Sequence, residues 1–157
     1  MKHKLLGEIL TEEFHLKEDA IAGALHIQKE KGGRIGEILI RQKRITESDL
    51  LHALGIQFHI TVSPSLTLEG LDTEFATRIP IQFLKKYRMA PVVNWKKATI
   101  AINDPLFFQP LDDLRTLLCM DGAEIVLAPY MDILSIINFA YDVSRDSAEQ
   151  VIEDMHG

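Results

Sequence analysis

The chain has 157 residues, of which 46% are hydrophobic and 25% are charged, and this is the composition of an ordinary globular protein. No apolar run approaches the roughly 20 residues of a membrane-spanning helix, and the basic start Met1–Lys4 lacks the apolar core of a signal peptide. The single cysteine, Cys119, excludes a disulfide framework and a cysteine-based zinc site. We therefore expect a soluble protein without a direct membrane insertion.

The net charge of −6 is unevenly distributed. Residues 1–57 contain nine basic and nine acidic residues, whereas residues 58–157 contain eight basic and fourteen acidic residues. Nucleic-acid binding favours a basic footprint, so this distribution argues against a nucleic-acid partner. A helix-turn-helix DNA binder, suggested by the short helix pairs described next, is disfavoured for the same reason.

Residues 4–57 contain one sequence pattern twice, at an offset of 29 residues. Leu6–Leu10 recurs as Ile35–Leu39, and Ile21–Gln28 recurs as Leu50–Gln57. Because glycine, alanine and glutamine recur in register with the aliphatic residues, the pattern indicates a duplicated supersecondary unit. Each repeat predicts a helix, a tight turn and a second helix, and we expect the two repeats to pack on each other.

Two glycines, Gly7 and Gly36, occupy equivalent positions in the first helix of each repeat. Glycine inside a helix costs roughly 1 kcal/mol relative to alanine, so its recurrence needs a reason. One reason is close helix-on-helix contact between the repeats; the other is a ligand that lies against the backbone. In the second repeat, Thr46 and Asp49 have the spacing of a capping box and predict the start of a helix that runs to about Phe58.

The remainder of the chain alternates between helix and strand patterns. A linker-like segment from Thr61 precedes these predicted elements: a short helix ending at Ile79, a helix from Pro80 to about Tyr87, strands Met89–Trp95 and Ala98–Ile102 joined at Lys96-Lys97, a helix of about Pro110–Met120, a strand Glu124–Ala128 and a helix of about Met131–Tyr141. The sequence thus predicts an α+β fold, with a helical tandem repeat of four short helices followed by a small ββαβα domain that contains a three-stranded sheet. The predicted domains are residues 1–60, residues 61–143 and a polar, acidic linker at residues 144–157, which forms either a short helix or a tether.

No catalytic constellation is recognisable in the sequence. A Gly-rich phosphate loop with its lysine and hydroxyl is absent, and the scattered histidines have no carboxylates at metal-binding spacing. The polar group that remains is Arg34 beside Gly36, with Gln28 and Gln57 closing the repeats. Arginine can pair with a guanine edge, and a backbone bared by glycine can receive a phosphate. Alternatively, Arg34 is a solvated residue at a helix start and the glutamines pack between the repeats.

The tandem pattern resembles the MshEN-type N-terminal domain of type II secretion and type IV pilus assembly ATPases, most closely that of type II secretion. The family motif reads Arg-Leu-Gly, two residues, two aliphatics, two residues, Gly, two aliphatics, then two leucines four apart and then Gln. The second repeat retains Arg34, Ile35, Gly36, Leu39, Ile40, Ile45, Leu50, Leu54 and Gln57; the first retains Leu6, Gly7, Leu10, Leu16, Ile21, Leu25 and Gln28. The spacer Lys29–Gly33, Ile79-Pro80, Ala90-Pro91-Val92 and Asn103-Asp104-Pro105 extend the resemblance to nearly the whole chain.

The resemblance implies a site for cyclic di-GMP. The residues carried over from the family pattern are Gly7, Leu25, Gln28, Arg34, Ile35, Gly36, Leu54 and Gln57. This chain departs from the motif at Leu5, where the family has arginine, and at Phe14 and Lys43, where the family has the glycine of the helix turn. Loss of a charge-assisted contact costs about 1.5–3 kcal/mol, so we predict that cyclic di-GMP binding is weak or lost while the fold is kept.

The resemblance further implies a non-catalytic docking and regulatory domain. Its partner would be the cytoplasmic domain of the inner-membrane platform protein, and its parent would be a hexameric ATPase that is cytoplasmic and peripheral to the inner membrane. ATP and magnesium would then belong to an ATPase core beyond the linker at residues 144–157, and this chain itself would not be an enzyme. The alternative is a cyclic di-GMP receptor domain with a degenerate first motif.

Overall fold

The computed structural model describes residues 4–63, 65–95 and 97–156. The chain divides into two compact units, Met1–Val62 and Ser63–Gly157. Unit 1 contains the tandem repeat and unit 2 contains most of a small sheet. The domain limits at residues 60 and 143 stay a prediction.

Unit 1 consists of the four short helices that the repeat predicts. They are α1 (Leu6–Phe14), α2 (Glu18–Lys31), α3 (Ile35–Arg41) and α4 (Glu47–Phe58). Helix α1 packs on α4, and α2 packs on α3. The first helix of each repeat therefore lies against the second helix of the other, and the two repeats pack on each other as expected.

The core of unit 1 follows the repeat register. Residues at equivalent positions of the two repeats are buried in pairs: Ile9 and Ile38, Leu10 and Leu39, Leu16 and Ile45, and Ala24 and Ala53. Burial of one such aliphatic side chain stabilises the fold by about 1.5–3 kcal/mol. The aliphatic half of the duplicated pattern is thus explained by one shared core.

The start of α4 has the predicted capping box. The backbone N–H of Asp49 donates to the Thr46 hydroxyl at 3.1 Å, and the backbone N–H of Thr46 donates to the Asp49 carboxylate at 3.0 Å. These two bonds satisfy backbone donors that the first turn of a helix leaves without partners. The side chains of Thr46 and Asp49 therefore determine where the second repeat resumes its helix.

Unit 2 has the predicted ββαβα order, which confirms the α+β fold class. A 3-10 turn, Glu74–Thr77, precedes α5 (Ile81–Tyr87), β2 (Met89–Val93), β3 (Ala98–Ile102), α6 (Phe108–Leu117), β4 (Glu124–Leu127) and α7 (Tyr130–His156). The turn predicted between β2 and β3 includes Lys96, which lies outside the described residues.

The sheet has four strands in the order β1-β4-β3-β2, where β1 is Thr61–Val62. The prediction of three strands was wrong by this two-residue strand, which is too short to show any hydrophobic alternation. Strands β2 and β3 are antiparallel, and β3 and β4 are parallel. Pro91 lies in β2, an edge strand, which is where a residue without a backbone N–H is tolerated.

Helix α7 is longer than predicted, because it continues from Tyr130 to His156 instead of ending near Tyr141. Its first half is anchored by buried Ile133, Ile136 and Ile137. The Tyr141 hydroxyl donates to the carbonyl of Ile79, and burial raises the pKa of Tyr141 to about 12. Within the described ranges, no helix has the length and apolar character needed to span a bilayer.

Candidate functional site

Leu5 and Arg34 occupy the same structural position in the two repeats. Each is the residue immediately before the first helix of its repeat, with extended backbone angles of φ −72°, ψ 153° at Leu5 and φ −100°, ψ 139° at Arg34. Leu5 is 68% exposed, whereas Arg34 is half-buried. The backbone of the first repeat would therefore present an arginine as the second repeat does, and only the side chain differs.

The spacer between the repeats is organised by Gln28. Its Nε2 donates to the carbonyl of Gly33 at 3.0 Å, directly before Arg34. Gly32 and Gly33 have φ of 75° and 94°, a conformation that side chains strongly disfavour. The structure therefore brings the Gln28 side chain to the backbone of the residue before Arg34. In the equivalent position Gln57 is half-buried near the end of α4.

The two glycines of the repeat are not equivalent in their surroundings. A Cβ added at Gly36 would lie 2.6 Å from Leu50 Cδ1 and 2.9 Å from Leu50 Cδ2, so alanine does not fit without movement of Leu50. At Gly7 the nearest atom, Ile21 Cγ2, is 3.5 Å away, which is an ordinary contact. Helix contact explains Gly36, but the contact is within one repeat and not between the repeats as expected. Gly7 has room for a Cβ.

This difference predicts opposite effects of the same substitution at the two positions. Gly36→Ala is expected to lower the free energy of unfolding by about 1–2 kcal/mol, because the isobutyl group of Leu50 must move. Gly7→Ala should leave it unchanged or raise it by up to about 1 kcal/mol, since alanine is the better helix former. Urea denaturation followed by circular dichroism compares the two variants, and equal shifts of both midpoints would contradict the packing described here.

The first helix of each repeat ends on a left-handed residue, but at different places. In the second repeat this residue is Lys43, with φ 59°, as expected. In the first repeat it is His15, with φ 55°, so the assignment to Phe14 was wrong by one residue. The backbone N–H of Leu16 reaches back to the carbonyl of Leu10 at 3.2 Å, whereas that of Arg44 bonds Leu39 at 2.9 Å. The wider closure in the first repeat moves the turn one residue along the chain.

A shallow polar groove beside this turn was not predicted. It has a volume of about 470 Å³ and is lined by Asp19, Ala20 and Gly23 of α2 and by Gln42, Lys43 and Arg44 after α3. The charged residues of the lining are two basic ones, Lys43 and Arg44, and one acidic one, Asp19. Within residues 4–63, 65–95 and 97–156 no group of three or more His, Cys, Asp or Glu residues is arranged to hold a metal ion.

Exposed apolar side chains lie on the paired helices α1 and α4. Leu5 precedes α1, and Ile56 and Phe58 lie in the last turn of α4; these three residues are called the α1–α4 surface below. Leu25 on α2 is also exposed, at 49%. Leu54, Ile35 and Gly7 are half-buried and Gly36 is buried. Ile56 could have been noticed in the sequence because it is the repeat equivalent of Ile27, which is partly buried against the core of unit 1.

The chain contains a unit of four helices, built from two helix-turn-helix repeats, and a unit with a small mixed sheet. The model of the MshEN domain family matches residues 54–147, which is more than half of the chain. The chain therefore belongs to the MshEN domain family, which confirms the family resemblance, although the matched residues lie almost entirely after the tandem repeat.

Among curated proteins, the chain is similar to the type IV pilus assembly ATPase PilB of Myxococcus xanthus strain DK1622. The identity is 28% over 153 residues, which is 96% of this chain and 26% of PilB. The chain thus spans about a quarter of the length of this curated relative.

The fold of this chain resembles solved structures of two proteins. A structure of MshE with cdg, cyclic di-GMP, has a TM-score of 0.72 and 27% identity, and the match covers 88% of this chain and 99% of that chain. The N-terminal domain of XpsE has a TM-score of 0.57 and 16% identity, covering 88% of this chain and 97% of that chain. At that identity the XpsE domain supports the fold alone.

Proposed function

We propose that this chain is a non-catalytic N-terminal docking and regulatory domain of a type II secretion ATPase or of a related pilus ATPase. Its helical repeats would bind the cytoplasmic domain of the inner-membrane platform protein and so connect the ATPase to the machine. In this proposal the parent is a hexamer, ATP and magnesium are bound outside this chain, and the assembly is cytoplasmic and held at the inner membrane through its partners.

The observation that carries the proposal is the contrast between the core of unit 1 and its ligand position. The shared core is retained in full, with equivalent aliphatic pairs buried in both repeats. The ligand-side arginine is present only at Arg34, and its counterpart Leu5 is an exposed apolar residue. Ile56 and Phe58 on α4, the helix on which α1 packs, are also exposed and apolar, and exposed apolar side chains are what a protein contact would cover. A protein partner fits this surface better than a symmetric, doubly charged nucleotide does.

Co-purification tests the docking proposal. The 157-residue chain and the tagged cytoplasmic domain of the platform protein are mixed at tens of micromolar and recovered on the tag. We expect the chain to be retained in about equal amount. Recovery of the platform domain alone would count against the proposal.

A second candidate function is a weak receptor for cyclic di-GMP. It is supported by Arg34 at the start of α3, by Gln28 holding the spacer before it, and by the similarity to MshE, whose structure contains that ligand. In a receptor of this kind the second repeat would bind one half of the nucleotide and the first repeat, with Leu5, would bind the other half poorly.

Calorimetry with cyclic di-GMP distinguishes the two candidates. We expect a dissociation constant weaker than micromolar, because one charge-assisted contact is missing and its loss costs about 1.5–3 kcal/mol. Arg34→Ala should weaken the residual binding further, and Lys31→Ala in the same spacer is the matched control. Micromolar or tighter binding would refute the prediction of a degraded site, and binding that survives Arg34→Ala would exclude this location.

A further inference from the structure

The turn between α6 and β4 contains an aspartate that is directly followed by a glycine, Asp121-Gly122, and no other aspartate or asparagine in the chain precedes a glycine. The backbone N–H of Ala123 donates to the carbonyl of Met120 at 3.0 Å, so Asp121 and Gly122 are the two central residues of a tight turn. Both are exposed, whereas Ala123 is buried. The peptide bond between Asp121 and Gly122 therefore lies on the surface.

This turn is held at its two ends but not in its middle. The backbone N–H of Met120 donates to the carbonyl of Arg115 at 2.8 Å, and the Arg115 guanidinium donates to the carbonyl of Ala123 at 3.2 Å. By contrast, within the described residues the Gly122 N–H has no acceptor and the Asp121 carboxylate has no donor. The nitrogen of Gly122 and the carboxyl group of Asp121 are thus both available for reaction.

Neither packing nor backbone conformation explains the glycine at position 122. A Cβ added there would meet no atom within 4 Å, and the φ of Gly122 lies outside the left-handed region that favours glycine. The absence of a side chain has one clear effect, which is that the peptide unit rotates more freely than it would with any other residue. It also leaves the nitrogen of Gly122 unobstructed on the side of Asp121.

We propose that Asp121 is a site of spontaneous isoaspartate formation. The Gly122 nitrogen attacks Cγ of Asp121, and the new N–Cγ bond closes a succinimide ring. The protonated carboxyl group loses its hydroxyl, which leaves as water together with the amide proton.

Water then opens the ring at one of its two carbonyl carbons. Addition at Cγ breaks the new N–Cγ bond and restores aspartate. Addition at the main-chain carbonyl carbon breaks the original peptide bond to Gly122, and the main chain then runs through Cβ and Cγ of Asp121. One water is lost and one is gained, so the mass is unchanged and no oxidant or reductant is needed. The product has one additional main-chain carbon between Met120 and Ala123, the two residues that bond to Arg115.

Aspartates within helices provide the contrast. Asp132 and Asp142 lie in α7, where each backbone N–H is engaged by the carbonyl four residues earlier. The residues that follow them, Ile133 and Val143, are β-branched and obstruct the approach of the nitrogen. We therefore expect the reaction at Asp121 and not at these two positions while the chain is folded. This inference is independent of the docking proposal, which concerns the α1–α4 surface.

Incubation of the 157-residue chain at physiological temperature and neutral pH for several weeks tests the inference. The protease Asp-N cleaves before aspartate but not before isoaspartate. We expect a progressive loss of cleavage between Met120 and Asp121, while cleavage before Asp132 and Asp142 persists. Electron-transfer fragmentation of the tryptic peptide Thr116–Arg145 then locates the isoaspartate in the same sample.

Gly122→Ala is the matched control. The added methyl group has free space in the folded chain and obstructs the attacking nitrogen, so this variant should retain Asp-N cleavage before Asp121 throughout the incubation. A chain incubated in guanidinium chloride verifies that the assay detects isoaspartate. Absence of isoaspartate at residue 121 in the folded chain would overturn the inference. So would equal amounts at Asp121, Asp132 and Asp142, or an undiminished amount in Gly122→Ala.

Discussion

Replacing Leu39 by alanine is expected to lower the free energy of unfolding by about 2–5 kcal/mol, because the substitution leaves a cavity in a closely packed core. Leu39 is completely buried in α3 and belongs to the shared core of the two repeats. Leu10 is its equivalent in α1 and is also completely buried. Leu10→Ala should therefore cost a similar amount, and denaturant titration followed by circular dichroism measures both.

Leu25→Ala is the matched control for these core substitutions. Leu25 is about half exposed on α2, and a surface leucine usually changes stability by no more than about 0.5 kcal/mol. If Leu10→Ala were as mild as Leu25→Ala while Leu39→Ala were severe, the two repeats would not share one core. That result would contradict the pairing of α1 with α4 and of α2 with α3.

Introducing arginine at Leu5 is expected to strengthen cyclic di-GMP binding by tenfold to a hundredfold. The gain corresponds to about 1.5–3 kcal/mol for a hydrogen bond to a charged group. The physical basis is the backbone, because residues 5 and 34 have the same extended conformation at the same helix start. The new guanidinium would thus begin from the position that Arg34 has in the second repeat. Calorimetry on Leu5→Arg and on the unmodified chain measures the difference.

Gln42→Arg is the control for the added charge. It also introduces one exposed arginine into unit 1, but just after the end of α3, whereas Arg34 precedes its start. If the gain at Leu5 reflects a specific contact, Gln42→Arg should leave the affinity unchanged within about twofold, the scale of a screened surface charge. An equal gain from both variants would show non-specific attraction, and no gain from Leu5→Arg would contradict the equivalence of the two helix starts.

The sequence predicted the helices of unit 1 because local and global signals agree there. The duplicated aliphatic pattern marks the residues that become the shared core, and Thr46 with Asp49 marks the start of α4. The order of the elements in unit 2 was also predicted correctly, because local and global signals agree there too. Its strands are short apolar runs bounded by turn residues, and its helices have a clear apolar face.

The elements that were missed depend on signals that are not local. Strand β1 has only two residues and is a strand because it pairs with a neighbouring strand, so no hydrophobic periodicity could reveal it. The second half of α7 is polar and acidic and was taken as a linker, although its residues continue a helix that the buried isoleucines begin. The neighbouring strand explains β1, whereas the second half of α7 extends the helix that its first half begins.

Details of the candidate site could not be predicted from the sequence for a different reason. An internal repeat predicts similar environments for equivalent residues, yet Gly36 is closely approached by Leu50 whereas Gly7 has room for a methyl group. Likewise the left-handed turn residue is Lys43 in one repeat and His15, not Phe14, in the other. Differences of one residue in a turn, or of about 1 Å in packing, arise from three-dimensional contacts that the aligned repeats do not record.

A calorimetric titration of the 157-residue chain with the cytoplasmic domain of the platform protein tests the central claim most directly. The account predicts a one-to-one complex at tens of micromolar that Ile56→Glu on the α1–α4 surface abolishes and that Arg34→Ala leaves intact. Absence of binding at these concentrations would contradict it. So would a complex that is lost in Arg34→Ala and kept in Ile56→Glu, because that pattern would place the contact at Arg34 and not on α4.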